Sequence, residues 1–235
     1  LVLNGFANNI IVVDDGSTDD TIRFIKDEYS EFIDNNILLV FRLEVNSGVN
    51  TAKNFGVQMS QYKWIAFMDS DDYFCSGAGP LILNELESNR DCGVFFFRCL
   101  NLNTSKLIGE KKKASRITFK QALNDGIPGE CLPVIKREVM LKFPFNDSLK
   151  GCEGITYLEI LNSGIIAFVS DEVVRVYDDS GVDRLCSKQS IRVRSKEMLR
   201  CNLLHVKYIF SASPKKFIGL ILRVLYYSYI SLFKR

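Results

Sequence analysis

The 235-residue chain has one histidine, one tryptophan, five prolines and seven cysteines, and these scarcities narrow its chemistry. The cysteines are odd in number and none forms a Cys-x-x-Cys pair. Neither a zinc site nor a disulfide framework is therefore indicated, and free thiols suit a reducing compartment. His205, the sole histidine, reads as an ordinary helix residue. Cys152 has no histidine near it in sequence and reads as a small buried side chain, not a nucleophile. No signal peptide is visible at Leu1, no segment repeats, and none is of low complexity. A glycine-rich phosphate loop with its lysine or arginine is absent, which weakens a nucleotidyltransferase reading. The last stretch poor in charge is the 17 residues between Lys216 and Lys234. As a helix it would reach about 26 Å, short for a bilayer span, and Arg223 interrupts it.

What is present suits one compact unit. With 47% hydrophobic and 25% charged residues the chain can bury a core and is not disordered. Its net charge of +2 hides an asymmetry. Lys188 to Arg235 carries eleven basic residues and one acid, Glu197, whereas the first 187 residues hold 19 bases and 27 acids. An acidic body can hold a metal, and a basic tail calls for an anionic partner.

Apolar runs and their breaks predict strands near 10–14, 37–42, 64–68 and 92–100, alternating with helices near 18–30, 49–60 and 79–89. This alternation predicts an α/β fold with a mostly parallel sheet flanked by helices. Residues 101–116, with Lys111 to Lys113, read as a solvated surface loop or edge hairpin. From 117 the pattern turns helical and irregular, punctuated by Pro128, Pro133 and Pro144. A helix near 153–163 precedes two short β-like runs, 165–169 and 172–177.

Ile10 to Val13 stops abruptly at Asp14 and Asp15. Gly16 then allows a tight turn, and Ser17 or Thr18 can cap the next helix. Open α/β sheets bind ligands at this end of their strands. A second apolar run, 64–68, breaks into Asp69-Ser70-Asp71-Asp72. Alternation along an extended segment would put Asp69 and Asp71 on one side, as hard oxygen ligands for Mn²⁺ or Mg²⁺. Two strand-end acid clusters point to a nucleotide and a divalent cation held side by side. Helix-capping acidic loops are the plainer alternative. In NSGVNTAKNFG, residues 46–56, Gly48 permits close backbone approach and Asn46 or Ser47 can cap the helix. Lys53, one turn in, offers a positive charge to a phosphate, or is an ordinary exposed helix lysine.

The segments VDDGSTDDT, NSGVNTAKNFG, DSDD at 69–72 and SLKGCEGITYLEI at 148–160 share an order and spacing that resembles family 2 glycosyltransferases of the GT-A fold. The likeness covers about residues 4 to 180. It implies transfer from a nucleotide sugar, UDP-linked, with Mn²⁺ or Mg²⁺ and inversion at the anomeric carbon, to a lipid-linked or polysaccharide acceptor. Residues 1–100 would be the nucleotide-sugar-binding half, 101–182 the acceptor-binding and catalytic half of the same domain, and 183–235 a basic helical extension. By this resemblance Asp14 or Asp15 accepts a uracil-type N–H, and Lys53 meets the donor diphosphate or ribose. Asp69 and Asp71 hold the metal, Asp69 also touching the sugar or ribose, and Asp72 orients them. Glu153 is the candidate base, with Glu130 in reserve. Two departures stand out. The family's Glu-Asp pair is Glu153-Gly154 here, and the opening LVLNGFANN resembles the end of the helix that follows the family's first strand. That predicts a first strand either missing or supplied by another chain. A catalytically degenerate, non-enzymatic, membrane-associated subunit is accordingly the runner-up.

On a helix over 214–235, Lys216, Arg223, Tyr227, Ser231 and Lys234 make a narrow polar stripe on an apolar, tyrosine-rich cylinder. This predicts an amphipathic helix on an anionic membrane surface, and hence a cytoplasmic protein peripheral on the inner face of the cell membrane. A core helix or a homodimer helix is the alternative. No nucleic-acid partner is expected.

Overall fold

The computed structural model describes residues 10–109, 113–127, 129–180, 192–209 and 214–233. The readings of LVLNGFANN, Pro128, Lys111 and Lys112 fall outside them. β1 (Ile10–Asp14) and β2 (Leu38–Arg42) pair in parallel, with Asp14 opposite Arg42. Between them the expected single helix begins late and breaks at Tyr29, giving α1 (Thr21–Glu28) and α2 (Ser30–Asp34). Neither Ser17 nor Thr18 caps it. The Asp19 carboxylate accepts from the hydroxyl and the N–H of Thr21, and those bonds hold its pKa below the usual range. Ser17 instead donates its N–H back to Asp14.

A second sheet has the order β3 (Trp64–Ala66), β7 (Cys131–Lys136), β5 (Val94–Asn101), β8 (Ala167–Tyr177) and β4 (Tyr73–Phe74), with β6 (Ser115–Ile117) also on β8. The α/β class with flanking helices is present, but the pairing is mixed where mostly parallel strands were expected. β1–β2 and β5–β8 are parallel; β3–β7, β5–β7, β4–β8 and β6–β8 are antiparallel. Two of these four antiparallel pairings come from β7, which runs back between β3 and β5. Pro133 made this stretch look like punctuation. It is tolerated because it stands where β3 ends: Phe67 donates to the Pro133 carbonyl at 3.2 Å, and proline has no N–H to return. The ladder stops there, and the chain is free to turn into Asp69–Asp72.

β5 explains why CGVFFFRCL carries no alternation. Val94 and Phe96 pack in one apolar cluster and Phe95 and Phe97 in another, so both faces of the strand are covered. The two β-like runs at 165–177 are one strand, β8, whose register against β5 shifts between Phe96 and Cys99. α3 (Val49–Met59), α4 (Ala78–Ser88) and α7 (Glu153–Asn162) lie close to the expected spans. α5 (Phe119–Asp125) and α6 (Arg137–Lys142) fill the stretch read as irregular. The basic tail forms α8 (Ser195–Ile209) and α9 (Pro214–Phe233). Tyr208, Ile209 and Leu220 pack on Leu123 of α5, and Cys201 packs with Leu149, Cys152 and Ile155. His205 rests on the Cys201 carbonyl at 3.0 Å, an ordinary contact one helical turn back.

Candidate active site

The acid segment after β3 is a turn, not an extended strand end, because the Asp72 N–H donates to the Asp69 carbonyl at 3.2 Å. Asp69 and Asp71 are therefore not set on one side by strand alternation. The turn leaves Asp69 half-buried and Asp71 exposed, with Asp72 folded inward. Asp72 accepts from the Asp178 N–H at 3.0 Å and lies 3.1 Å from Arg175 Nη1. Burial pushes its carboxyl up to about 6, opposed by that N–H and by Arg175. Asp72 thus fixes the turn from behind.

α3 brings in the cation. Its N-terminus is set by Gly48 at φ 95°, where a Cβ would come within 2.6 Å of the Lys150 side chain. Asp15 accepts from the N–H groups of Ser47 and Gly48, both at 2.7 Å, so the first acid cluster grips the start of the helix that carries Lys53. Asp14 is buried and accepts from Ser17 N–H, with Arg42 Nε 3.3 Å away. Gly16, at φ 76°, lets the two loops close, since a Cβ there would stand 2.8 Å from Asn46 N. Of the pair, Asp15 is the less enclosed.

Two residues that sequence reasoning passed over aim α3 at α7. Buried Asn50 donates to the carbonyls of Asn146 (2.8 Å) and Leu149 (2.9 Å). Asn54 donates to the Phe145 carbonyl at 2.8 Å and accepts from its N–H at 2.9 Å. Asparagines four apart on one helix face, flanking Lys53, were the available signal. They tie α3 to the segment that leads into α7, whose first residue is Glu153. As a result Lys53 Nζ lies 3.2 Å from Asp69 Oδ1 and 4.0 Å from Glu153 Oε1.

Gly154, where an acid was expected, is exposed, and a Cβ there would meet nothing within 4 Å. Cys152 is buried in the cluster described above, as expected of a packing residue. One turn on from Glu153, Tyr157 has its hydroxyl pKa raised far above the usual range, first by burial and then by the charges of Glu153, Glu130 and Asp69. Arg175, also missed, lies under the site and reaches both Asp72 and Glu130. The neighbouring thiols Cys99 and Cys131 are pushed up by burial to about 11 and about 12. They stay protonated near neutral pH.

The structure therefore unites Lys53, Asp69 and Glu153, places Asp71 at the open end of the same turn, and sets Asp15 at the start of α3, with Asp14 bound to Ser17 and Arg42 at the end of β1. Among the described residues no group of three or more His, Cys, Asp or Glu side chains is placed to hold a metal. One or two carboxylates on a turn, with the remaining ligands from phosphate and water, is nonetheless a common way to hold Mg²⁺. The hard oxygens of Asp69 and Asp71 fit that pattern.

Residues 4–142, more than half of the chain, match the sequence model of Glycosyl transferase family 2. A GalNAc(5)-diNAcBac-PP-undecaprenol beta-1,3-glucosyltransferase of Campylobacter jejuni is 26% identical over 78% of this chain and 60% of its own length. The putative teichuronic acid biosynthesis glycosyltransferase TuaG of Bacillus subtilis is 30% identical over 72% of this chain and 66% of its own. The chain thus spans about two thirds or less of the curated relatives it matches. Among solved structures, S. aureus TarS 1-349 in complex with UDP-GlcNAc superposes with a TM-score of 0.63 at 14% identity, covering 94% of this chain and 72% of TarS 1-349. That likeness bears on the fold.

Proposed function

The chain belongs to Glycosyl transferase family 2, and on that premise we propose that it transfers a sugar, with inversion, from a UDP-sugar to a lipid-linked or polysaccharide acceptor. The observation that carries the reading is the meeting of Lys53 with Asp69 and Glu153. It puts one cation between a donor-side and an acceptor-side carboxylate. Asp15 accepts the uracil N–H, being the less enclosed of its pair. Lys53 faces the donor diphosphate and offsets its charge. Asp69 and Asp71 would hold Mn²⁺ or Mg²⁺, which supplies Lewis-acid neutralisation of the departing diphosphate.

Glu153 takes the proton of the acceptor hydroxyl as that oxygen bonds to the anomeric carbon. The bond from that carbon to the diphosphate breaks on the opposite face, and UDP leaves with the electron pair. Lys53, 4.0 Å from Glu153, keeps the carboxylate turned inward without occupying it as a tight pair. Exposed Gly154 leaves this duty to Glu153 alone. The convergence of three polar side chains supports catalysis over the non-enzymatic subunit.

The relative from C. jejuni is named for a lipid-linked undecaprenol acceptor and TuaG for teichuronic acid synthesis, which supports an acceptor at a membrane. Among the described residues no helix is long and apolar enough to cross one. Attachment by α9 to the anionic inner face of the cell membrane fits both the basic tail and the acceptor class; pairing of two copies through α9 is the alternative.

The test is a panel of UDP-, GDP- and TDP-sugars with Mn²⁺ and a GlcNAc-diphosphate acceptor carrying a shortened prenyl tail. A UDP-sugar with an α linkage should yield a β-linked product by proton NMR of the new anomeric centre. Retention of configuration, or release of pyrophosphate in place of UDP, would refute the reading.

A further inference from the structure

Arg175 is 2% exposed, yet its guanidinium serves two carboxylates from different parts of the chain. Nη1 lies 3.1 Å from Asp72 Oδ2, and Nη2 donates to Glu130 Oε1 at 3.0 Å. Nε donates to Cys99 Sγ at 3.1 Å and Nη2 also reaches the Cys131 carbonyl at 3.3 Å. Charge balance in the interior needs only one anion, and Asp72, whose side chain is 0% exposed, supplies it. Glu130 is different. Its side chain is 46% exposed and stands just before β7. A surface carboxylate that gives one oxygen to a buried fork is fixed in direction without being covered.

Tyr157 stands on α7, the helix that opens with the candidate base. Its ring is held edge-on by Phe96 at 5.1 Å and Phe145 at 6.0 Å, one helical turn beyond Glu153. The charges of Glu153, Glu130 and Asp69 all bear on its hydroxyl. Glu130 is tied through Arg175 to Asp72 of the acid turn, and Asp69 of that turn meets the candidate base through Lys53. Asp72 closes that turn and is Arg175's other partner, so one buried side chain connects the donor side of the site to Glu130.

We propose that Glu130, stationed by Arg175, binds a hydroxyl of the acceptor beside Glu153, and that Arg175 is the positioning residue which keeps this carboxylate in register with the acid turn. The inference rests on the glycosyltransferase reading above and adds the acceptor subsite to it. It also takes Glu130 out of the role of reserve base.

The experiment measures E130Q, R175K and the double variant against wild type. It uses the UDP-sugar selected by the panel and the shortened GlcNAc-diphosphoprenol, following transfer, donor hydrolysis by water and UDP affinity separately. E130Q should raise the acceptor KM about tenfold or more, the usual scale for losing a hydrogen bond to a charged group. Its kcat, donor hydrolysis, UDP affinity and melting temperature should stay near wild type. R175K keeps the charge but cannot fork between two carboxylates, so it should raise the same KM, and the double variant should add little beyond either. Should R175K fail to fold, E130Q decides alone. A fall in kcat for E130Q at unchanged acceptor KM would make Glu130 the base and overturn the proposal, as would a wild-type acceptor KM. A wild type that neither transfers nor hydrolyses any nucleotide sugar would refute the glycosyltransferase reading itself, a result distinct from either.

Discussion

Lys53 shares one ammonium between Asp69 at 3.2 Å and Glu153 at 4.0 Å, and that sharing ranks the neighbouring acids. Asp69 is already partnered by a cation, so metal affinity should lean on exposed Asp71. Asp71→Ala is expected to abolish Mn²⁺-dependent UDP binding, measured by calorimetry, with the melting temperature unchanged. Undiminished metal-dependent affinity would remove Asp71 from the site. Glu153→Gln keeps the shape but cannot accept a proton. Turnover should fall about 10²–10⁴-fold, the usual worth of a general base, while UDP binding persists. A variant keeping a third of wild-type turnover would place the base elsewhere. These acids and the lysine were legible in the sequence because their chemistry is carried by residue type at strand and helix ends. Asn50, Asn54 and Arg175 were not, since their partners lie 96, 91 and 45 positions away along the chain. No local pattern announces such a contact.

At the scale of elements, the parallel β1–β2 unit and its helix signals follow from apolar runs ending in turn residues. The missed strand, β7, carries Pro133, and a proline inside a sheet is acceptable only where a neighbouring strand stops. That condition depends on β3, some seventy positions earlier, and is invisible locally. The split reading of β8 has a similar cause. Ser170 turns its hydroxyl to Glu85 at 3.1 Å and accepts from the Glu172 N–H, so polar residues interrupt a strand that continues. α9 was legible as a helix. In the structure Leu220 and Ile230 face inward, while Ile218, Ile221, Leu222, Leu225, Tyr226, Tyr229 and Leu232 are exposed. That outer arc is wider than the narrow seam a coiled coil needs, and tyrosines suit a membrane interface. L222E together with L225E should therefore abolish sedimentation with anionic liposomes without disturbing the Leu220 cluster. The wild-type chain should be partly released by high salt, because exposed charges are screened. Equal liposome binding by both, or a dimer in wild type that the double variant dissolves, would assign the face to protein contact.

At the scale of the whole molecule, the Asp72–Arg175 pair joins the acid turn to β8 and, through Cys99 and Cys131, to β5 and β7. Its ionisation is therefore coupled to global stability. Asp72 has its carboxyl raised from 3.8 to about 6, chiefly by burial. As pH rises from about 4, the unfolded chain loses this proton first while the folded chain still holds it. The folded state then binds more protons, so stability is greatest below the unfolded value and falls as pH climbs through the folded one. The whole loss from this group should be about 3 kcal/mol, at about 1.4 kcal/mol for each unit of pKa difference, most of it between pH 4 and pH 7. Titrating carboxylates that are lowered on folding, such as Asp19, act in the opposite sense and mainly below that window. Asp72→Asn removes the titrating group and keeps its size. Urea unfolding at pH 4, 5, 6 and 7 should give a variant whose stability changes less across the window than wild type, the two curves meeting at the acid end, where Asp72 is neutral, and drawing apart toward pH 7. Parallel curves would show that Asp72 is ionised throughout, held so by Arg175 against the pull of burial.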